Sequence, residues 1–230
     1  MSSYSNKIKS THSEVFDAIK QSKFMADLAA GTLPVEKYRN FVIQRYSVKF
    51  YLDKFLALGI AKFPYHFKQA GGECASTVLS DAISNPEPAN TFKKIQQELK
   101  ISDAELKPSP VAKGYADYLM NVGYGQGYKE VLVILVTMAH CYQEVCYQYQ
   151  GKGGQNPLYK EFLSKKPNAE KIFSWAEKAL DEVMGNADVT PKHKSVVQYM
   201  LQWQAAFLEA AQDPEKFKWP VEAKAAEHLT

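Results

Sequence analysis

Apolar residues recur every third or fourth position along almost the whole chain, which is the period of an amphipathic helix. The stretch 34–62 shows this period at Tyr38, Phe41, Val42, Val48, Leu52, Phe55, Leu56 and Gly59. No segment alternates apolar and polar residues in the manner of a strand, and no short turn of the Asn-Gly type joins two such runs. The pattern therefore predicts an all-α protein.

Proline, glycine and capping residues predict where the helices begin and end. Pro64 ends the helix before it, the glycines in 151–154 end another, and Ser102 and Glu105 have the spacing of a capping box. The helix that starts at Tyr128 is apolar over most of its first half and is expected to be the central buried element. The predicted helices are approximately 3–28, 34–62, one within 66–84, 90–99, 111–122, 128–150, 157–166, 168–184 and 191–211, followed by a short one introduced by Trp219 and Pro220.

The second predicted helix has clear signals for its first turn and carries one charged residue among its apolar positions. Thr32 is a candidate cap, Pro34 suits the first turn, and Glu36 complements the helix dipole. Arg45 falls among the apolar positions, where a guanidinium needs a partner or a cavity. Two interpretations stay open: the charge reaches the surface past its apolar neighbours, or it faces a functional pocket.

Length and composition favour one globular domain spanning residues 1–230. Hydrophobic residues make up 46% and aromatic residues 13% of the 230 positions, which is enough to close a substantial core, and no stretch resembles a linker. The net charge is only +3, and the lysines are scattered instead of forming a basic stripe. We therefore expect no nucleic acid partner.

The sequence also predicts a reduced, cytoplasmic protein without a membrane partner. The first residues lack the apolar run of a secretory signal, and the longest apolar run, 131–139, is too short to span a bilayer. The three cysteines, Cys74, Cys141 and Cys146, have no metal-type spacing, and their odd number argues against a complete disulfide framework.

The helix from Tyr128 presents two faces that could carry chemistry. Met138 and Tyr142 lie one turn apart on one face, and His140 and Glu144 form a similar pair on another. A single His-x-x-x-Glu pair is either a weak metal motif or a structural ion pair. Tyr142 either lines a pocket or bonds to a neighbouring helix.

Other candidates are a thiol, tyrosines and an amide on neighbouring helices. Cys141 would need a base, but adjacent helical residues point about 100° apart, so His140 is poorly placed to activate it. Tyr115 and Tyr118 could each face the bundle interior, and Gln204 could turn its amide toward a cavity. The residues alone leave the chemistry undetermined.

Three separated segments together resemble the TenA family, also called thiaminase II or aminopyrimidine aminohydrolase, within the haem-oxygenase-like superfamily. The segments are FMADLAAGTLPVEKYRNFVIQ, GYADYLMNVGYGQGYKEVLVILVTMAHCYQEV, and LQWQAAFLEAAQ with Lys218, Trp219 and Pro220. The resemblance implies a single-domain helical bundle with an interior small-molecule pocket, assembled as a homo-oligomer, either a dimer or a tetramer. It implies no cofactor and no bound metal.

The resemblance assigns pocket positions, several of which carry unexpected residues. Tyr115 and Tyr142 match the aromatic walls of the family's pocket, and Gln44 matches its rim. Arg45 stands where the family has an aspartate, and Val48 stands where it has a tyrosine. These differences imply that recognition of the family's usual amine is altered, and the expected ligand is either a pyrimidine or an anionic metabolite.

The family's reactive groups are replaced in this sequence. Met138 matches the cysteine nucleophile, and Ala139 lies near the position where one subfamily has a glutamate instead. Gln204 matches the late glutamate that serves as acid and base, and Lys166 matches a further pocket tyrosine. Attack by the family's covalent route is therefore excluded.

Three functions follow as expectations. The first is thiamine-related pyrimidine salvage, with catalysis by some other nucleophile or by water. The second is a ligand-binding or regulatory protein without chemistry, whose pocket prefers an anion if Arg45 points inward. The third is an oxidase, either metal-dependent through His140 and Glu144 or similar to pyrroloquinoline-quinone synthase, which Arg45 and Tyr46 weakly resemble.

Overall fold

The computed structural model describes residues 2–64, 74–85, 87–164, 166–214 and 220, and within these ranges it contains helices and no strand. The all-α prediction is confirmed. The helices are α1 (Tyr4–Thr11), α2 (Ser13–Lys20), α3 (Lys23–Ala30), α4 (Val35–Lys62), α5 (Ala75–Ser84), α6 (Glu87–Glu98), α7 (Pro110–Gly125), α8 (Tyr128–Tyr149), α9 (Pro157–Phe162), α10 (Pro167–Met184) and α11 (Pro191–Gln212). A 3-10 turn at Asp103–Glu105 carries the predicted capping box. The predicted helix after Trp219 lies outside the described residues.

Helix α8 passes through the centre of the bundle, as its apolar first half predicts. It packs against α1, α2, α4, α7, α10 and α11, and residues 131–136 are almost completely buried. Helix α4 packs mainly against α7 and α5. Gly123 permits close packing of α7 on α4, because an added Cβ would lie 3.0 Å from Leu58 Cδ1 and 3.3 Å from Phe55 Cδ2.

The first predicted helix is wrong as a single element, because the chain bends twice and forms three short helices. His12 separates α1 from α2, and its buried ring lies between the carbonyl oxygens of Ile8 and Lys194. Ser22 separates α2 from α3 and accepts a hydrogen bond from the Met25 amide at 3.4 Å. Because the serine side chain bonds to the backbone at the start of the next helix, its own backbone does not continue the previous helix. The two bends wrap these helices around α8 and α11.

The prediction that Thr32 caps α4 is also wrong. Thr32 does not cap α4, because its hydroxyl donates to the Asp27 carbonyl at the end of α3, and Pro34 occupies the cap position. Gly31 ends α3 in the left-handed conformation, with φ of 75°. The turn contacts the loop after α8, where the Gly153 amide donates to the Ala29 carbonyl at 2.8 Å.

A buried polar network holds the first helix to the core. The Tyr4 hydroxyl lies 2.6 Å from Nδ1 of His193, and Nε2 of His193 lies 3.4 Å from Glu130. Glu130 also accepts from the Gly127 amide and pairs with Lys192. Burial by itself raises the pKa of Glu130, but Lys192, a backbone hydrogen bond and the charge of His193 together outweigh it and hold the pKa below its ordinary value. The network therefore joins α1, α8 and α11 through satisfied polar groups.

Candidate functional site

Two of the predicted site residues meet directly between α7 and α11. The Gln204 Nε2 group donates to the Tyr115 hydroxyl at 2.7 Å. The Tyr115 ring is buried, with its centroid 6.4 Å from that of Trp203 and 6.3 Å from that of Phe207. Burial raises the pKa of Tyr115 well above its ordinary value, so the phenol stays neutral. The contact is thus a neutral hydrogen bond inside an aromatic cluster.

Arg45 lies at the edge of this cluster with an exposed side chain. Its guanidinium carbon is 4.9 Å from the centroid of the Phe162 ring, which is cation–π distance. Burial raises the pKa of Tyr38, and the positive charge of Arg45 acts against that rise, as it does at Tyr115. The charge therefore reaches the surface, as in the first interpretation, while remaining electrostatically coupled to the aromatic interior. Among the described residues no carboxylate pairs with it.

Gln44 and Tyr142 bond to the backbone of other segments. The Gln44 side-chain oxygen accepts from the Ser109 amide at 2.9 Å, immediately before α7, and Gln44 lines a cavity of about 240 Å³. The Tyr142 hydroxyl accepts from the Lys166 amide at 2.5 Å and donates to the Ser164 carbonyl at 3.3 Å. Their observed polar contacts therefore anchor the start of α7 and the segment before α10.

Neither Met138 nor Cys141 supplies a ready nucleophile. Met138 is a half-buried core residue whose thioether cannot be deprotonated. Desolvation raises the pKa of the Cys141 thiol far above its ordinary value, with a smaller contribution from Glu144. A thiol in this state is protonated near neutral pH and unreactive. The Gln204 amide exchanges no proton near neutral pH either.

His140 and Glu144 face different partners instead of each other. Glu144 forms ion pairs with Lys9 and with Lys20, the latter at 3.1 Å, and Lys9 is the leading cause of the lowered pKa of Glu144. His140 Nε2 lies 3.6 Å from Oε1 of Glu177. Within the described ranges, no three His, Cys, Asp or Glu side chains converge to hold a metal ion. The metal hypothesis gains no support from this geometry.

We expect His140 to make the protein less stable as the pH falls. Burial lowers the pKa of its imidazole from 6.5 to about 4, so the unfolded chain takes up this proton first. Above pH 6.5 the imidazole is neutral in both the folded and the unfolded protein and does not reduce the free energy of unfolding. As the pH falls from 6.5 to about 4, the unfolded chain is protonated first and the free energy of unfolding decreases. The loss amounts to about 3 kcal/mol, at roughly 1.4 kcal/mol per pH unit.

Urea unfolding of His140→Phe between pH 7 and pH 4.5 measures this contribution. The variant should lose less free energy of unfolding over that range than the unmodified protein. Glu177, whose pKa is raised mainly by burial, acts in the opposite direction in both proteins. An equally steep loss in the variant would show that His140 does not carry the effect.

The sequence and the fold agree on one family. The family model described as TENA/THI-4/PQQC matches residues 12–213. The chain belongs to this family. Among curated protein sequences, none matches the chain. None of the helices in the described part of this TENA/THI-4/PQQC member is long and apolar enough to cross a membrane.

Solved structures of other proteins share the fold along nearly their whole length. A TenA homologue from P. horikoshii OT3 matches with a TM-score of 0.77 at 19% identity, covering 91% of this chain and 98% of that one. A putative TenA-like thiaminase from Sulfolobus solfataricus P2 matches with a TM-score of 0.77 at 15% identity, covering 95% and 100%. A TenA homologue from Pyrococcus furiosus gives 0.76 at 21%, covering 90% and 99%. At these identities the likeness shows the helical fold and not the chemistry.

Two residues that shape the site were not singled out from the sequence. Gly114 lies within α7 against Trp203, and a Cβ at this glycine would be 2.3 Å from Trp203 Cη2. Phe162, at the end of α9, lies beneath Arg45. A glycine inside an apolar helix is a signal of close packing, so Gly114 could have been found. Phe162 carried no such signal, because its partner lies on a distant segment.

Proposed function

We propose that this TENA/THI-4/PQQC protein binds a pyrimidine that carries a phosphate or carboxylate, and that it does not hydrolyse this ligand. The ligand would lie between the Tyr115–Gln204 contact and Arg45. The observation that carries the proposal is the neutral Gln204–Tyr115 hydrogen bond, at the position where the resemblance implies an ionisable acid. An amide at that position can recognise a ligand but cannot transfer protons to it.

The polar groups of this region suit such a ligand. An amide has both a donor and an acceptor, as does the edge of an aminopyrimidine, so Gln204 can exchange its bond to Tyr115 for bonds to the ring. The Arg45 guanidinium can bind a phosphate or carboxylate through two parallel hydrogen bonds. Its lack of a carboxylate partner among the described residues leaves it available for this role.

The test is calorimetric binding of thiamine, of an aminopyrimidine and of the phosphorylated aminopyrimidine, with product analysis of each mixture. We expect the phosphorylated compound to bind most tightly and no hydrolysis product to form. Arg45→Ala should weaken binding of that compound by at least about tenfold, since a charge-assisted contact is lost.

Lys54→Ala is the matched control, because Lys54 is also an exposed cation on α4 that lies over an aromatic ring, that of Phe50 at 4.4 Å. It should leave the affinity unchanged. Equal losses in the two variants would mean that general surface charge, and not Arg45, attracts the ligand. Turnover of thiamine or aminopyrimidine would overturn the proposal and favour catalytic salvage through another nucleophile.

The homo-oligomeric assembly belongs to the same proposal. TenA-type resemblance implies a dimer or a tetramer, and several large apolar side chains of α4 and α7, among them Phe50 and Tyr124, are exposed in the single chain. Sedimentation equilibrium of the purified protein would test it, and a monomer at micromolar concentration would contradict it.

A further inference from the structure

A separate polar cleft lies between α1, α8 and α10. It has a volume of about 260 Å³. Its lining residues include His140, Gln143, Glu177 and Asp181, together with the cations Lys9 and Lys178. Residues two apart on a helix point about 200° from each other, so His140 faces away from the side of α8 that carries Tyr142 and Met138. Neither Tyr115 nor Gln204 is among the residues that line the cleft, so it is distinct from the contact between them.

The imidazole of His140 makes no hydrogen bond to any of the described residues. Only 3% of the residue is exposed, and Nδ1 has no partner among the described residues. Nε2 lies 3.6 Å from Oε1 of Glu177, which is longer than a hydrogen bond. Burial lowers the pKa of His140 to about 4, so the ring is neutral near pH 7 and gives Glu177 no balancing charge. Buried polar groups are seldom left in this state.

Glu177 is a half-buried carboxylate that forms no ion pair with a lysine or arginine among the described residues, although Lys9 and Lys178 also line the cleft. The Gln143 amide donates to Oε1 at 3.2 Å, and no partner for Oε2 is found among the described residues. The nearby cation on α1, Lys9, is paired with Glu144. Burial raises the pKa of Glu177, as expected when a carboxylate is desolvated without enough compensation. A cation that entered the cleft would supply that compensation.

Asp181 adds a second negative charge one turn along α10. Its two carboxylate oxygens accept from the Ser5 amide at 2.7 Å and from the Ser5 hydroxyl at 3.0 Å, so it also anchors α1 as a wall of the cleft. Each oxygen keeps a second lone pair for a further donor. The cleft thus combines two carboxylates and a neutral imidazole with two cations, of which Lys9 is paired with Glu144 and Lys178 is exposed.

We propose that this cleft binds a small organic cation with N–H donors, namely a primary ammonium or an amidinium, and that Glu177 is its main anchor. Several N–H donors of one ligand can be accepted here, by Oε2 of Glu177 and by the remaining lone pairs of the Asp181 carboxylate. A metal ion is a poorer fit, because the described side chains do not provide a three-ligand His, Cys, Asp or Glu site.

The test uses the full-length protein and n-butylammonium, with n-butanol as a neutral probe of the same length. Titration is followed by calorimetry and by the ring signals of His140 in NMR spectra, assigned with His140→Phe. We expect n-butylammonium to bind and to shift those signals, and n-butanol to bind at least about tenfold more weakly, because only the cation forms charge-assisted hydrogen bonds. Equal binding of the two probes, or no binding, would overturn the proposal.

Two variants locate the binding. Glu177→Gln should abolish the preference for the ammonium, whereas Glu14→Gln, which removes an exposed carboxylate on α2, should keep it. Ser174→Tyr places a ring in the cleft while Glu177 itself is unchanged, and it should block binding even if Glu177→Gln disturbs the fold. Ammonium binding that survives both Glu177→Gln and Ser174→Tyr would place the cation elsewhere and refute the site.

Discussion

Gly31→Val is expected to destabilise the protein by about 4 kcal/mol, the sum of left-handed backbone strain and overpacking. Gly31 has φ of 75°, a conformation that a β-branched residue rarely adopts. An added Cβ would also lie 2.7 Å from Gly154 Cα and 2.9 Å from Gly154 N, both of which are backbone atoms. Neither the turn nor the loop can relieve this contact by rotating a side chain. The substitution should therefore separate the α3–α4 turn from the loop after α8.

Urea unfolding at neutral pH measures the effect, with Gly125→Ala as the matched control. A Cβ at Gly125 would meet nothing within 4 Å, and this glycine is not among those with positive φ. The control should be neutral or stabilising by up to about 1 kcal/mol, since alanine restricts the unfolded chain. If Gly31→Val unfolded at the same urea concentration as the control, the close approach of the two glycines would not exist in solution.

Gly114→Ala is expected to destabilise the protein by about 2 kcal/mol and to abolish binding at the Tyr115–Gln204 contact. A Cβ at this position would lie 2.3 Å from Cη2 and 2.9 Å from Cζ3 of Trp203. The Trp203 ring would have to move, and it stacks on Tyr115, whose hydroxyl receives the Gln204 hydrogen bond. A shift of one ring therefore displaces the recognition groups of the proposed site.

The sign of the stability change makes this prediction decisive. Within a helix, alanine is favoured over glycine by about 1 kcal/mol, so Gly114→Ala would stabilise α7 if no contact opposed it. Urea unfolding, the near-ultraviolet circular dichroism of the tryptophans and calorimetry with the phosphorylated aminopyrimidine together report stability, ring position and affinity. A more stable variant with unchanged affinity would show that Trp203 does not pack against Gly114.

The long helices could be predicted because their signals are local. The predicted stretches 34–62, 128–150 and 191–211 agree within one residue at each end with Val35–Lys62, Tyr128–Tyr149 and Pro191–Gln212. Each has apolar residues at helical spacing and begins or ends at proline or glycine. The break of 3–28 into three helices was missed, because His12 and Ser22 act through partners and bends that periodicity does not record.

The candidate site was predictable only in part. The resemblance associated Tyr115 with Gln204, and these two residues are in contact. It also grouped Gln44, Arg45, Met138 and Tyr142 with them, and that grouping stays a prediction. The orientation of a side chain depends on what the facing helix offers, so Gln44 bonds to Ser109 and Arg45 lies over Phe162.

By itself, the sequence determined the helical class, the long helices and the family resemblance, because helical period, capping and turn residues act over a few neighbouring positions. Only the tertiary structure decided which polar groups remain unpaired. Arg45 is exposed and pairs with no carboxylate in the described part of the chain, Cys141 is held as a thiol, and His140 and Glu177 meet in a polar cleft. Burial and partner distances set these states, and both depend on residues that are far apart in the chain.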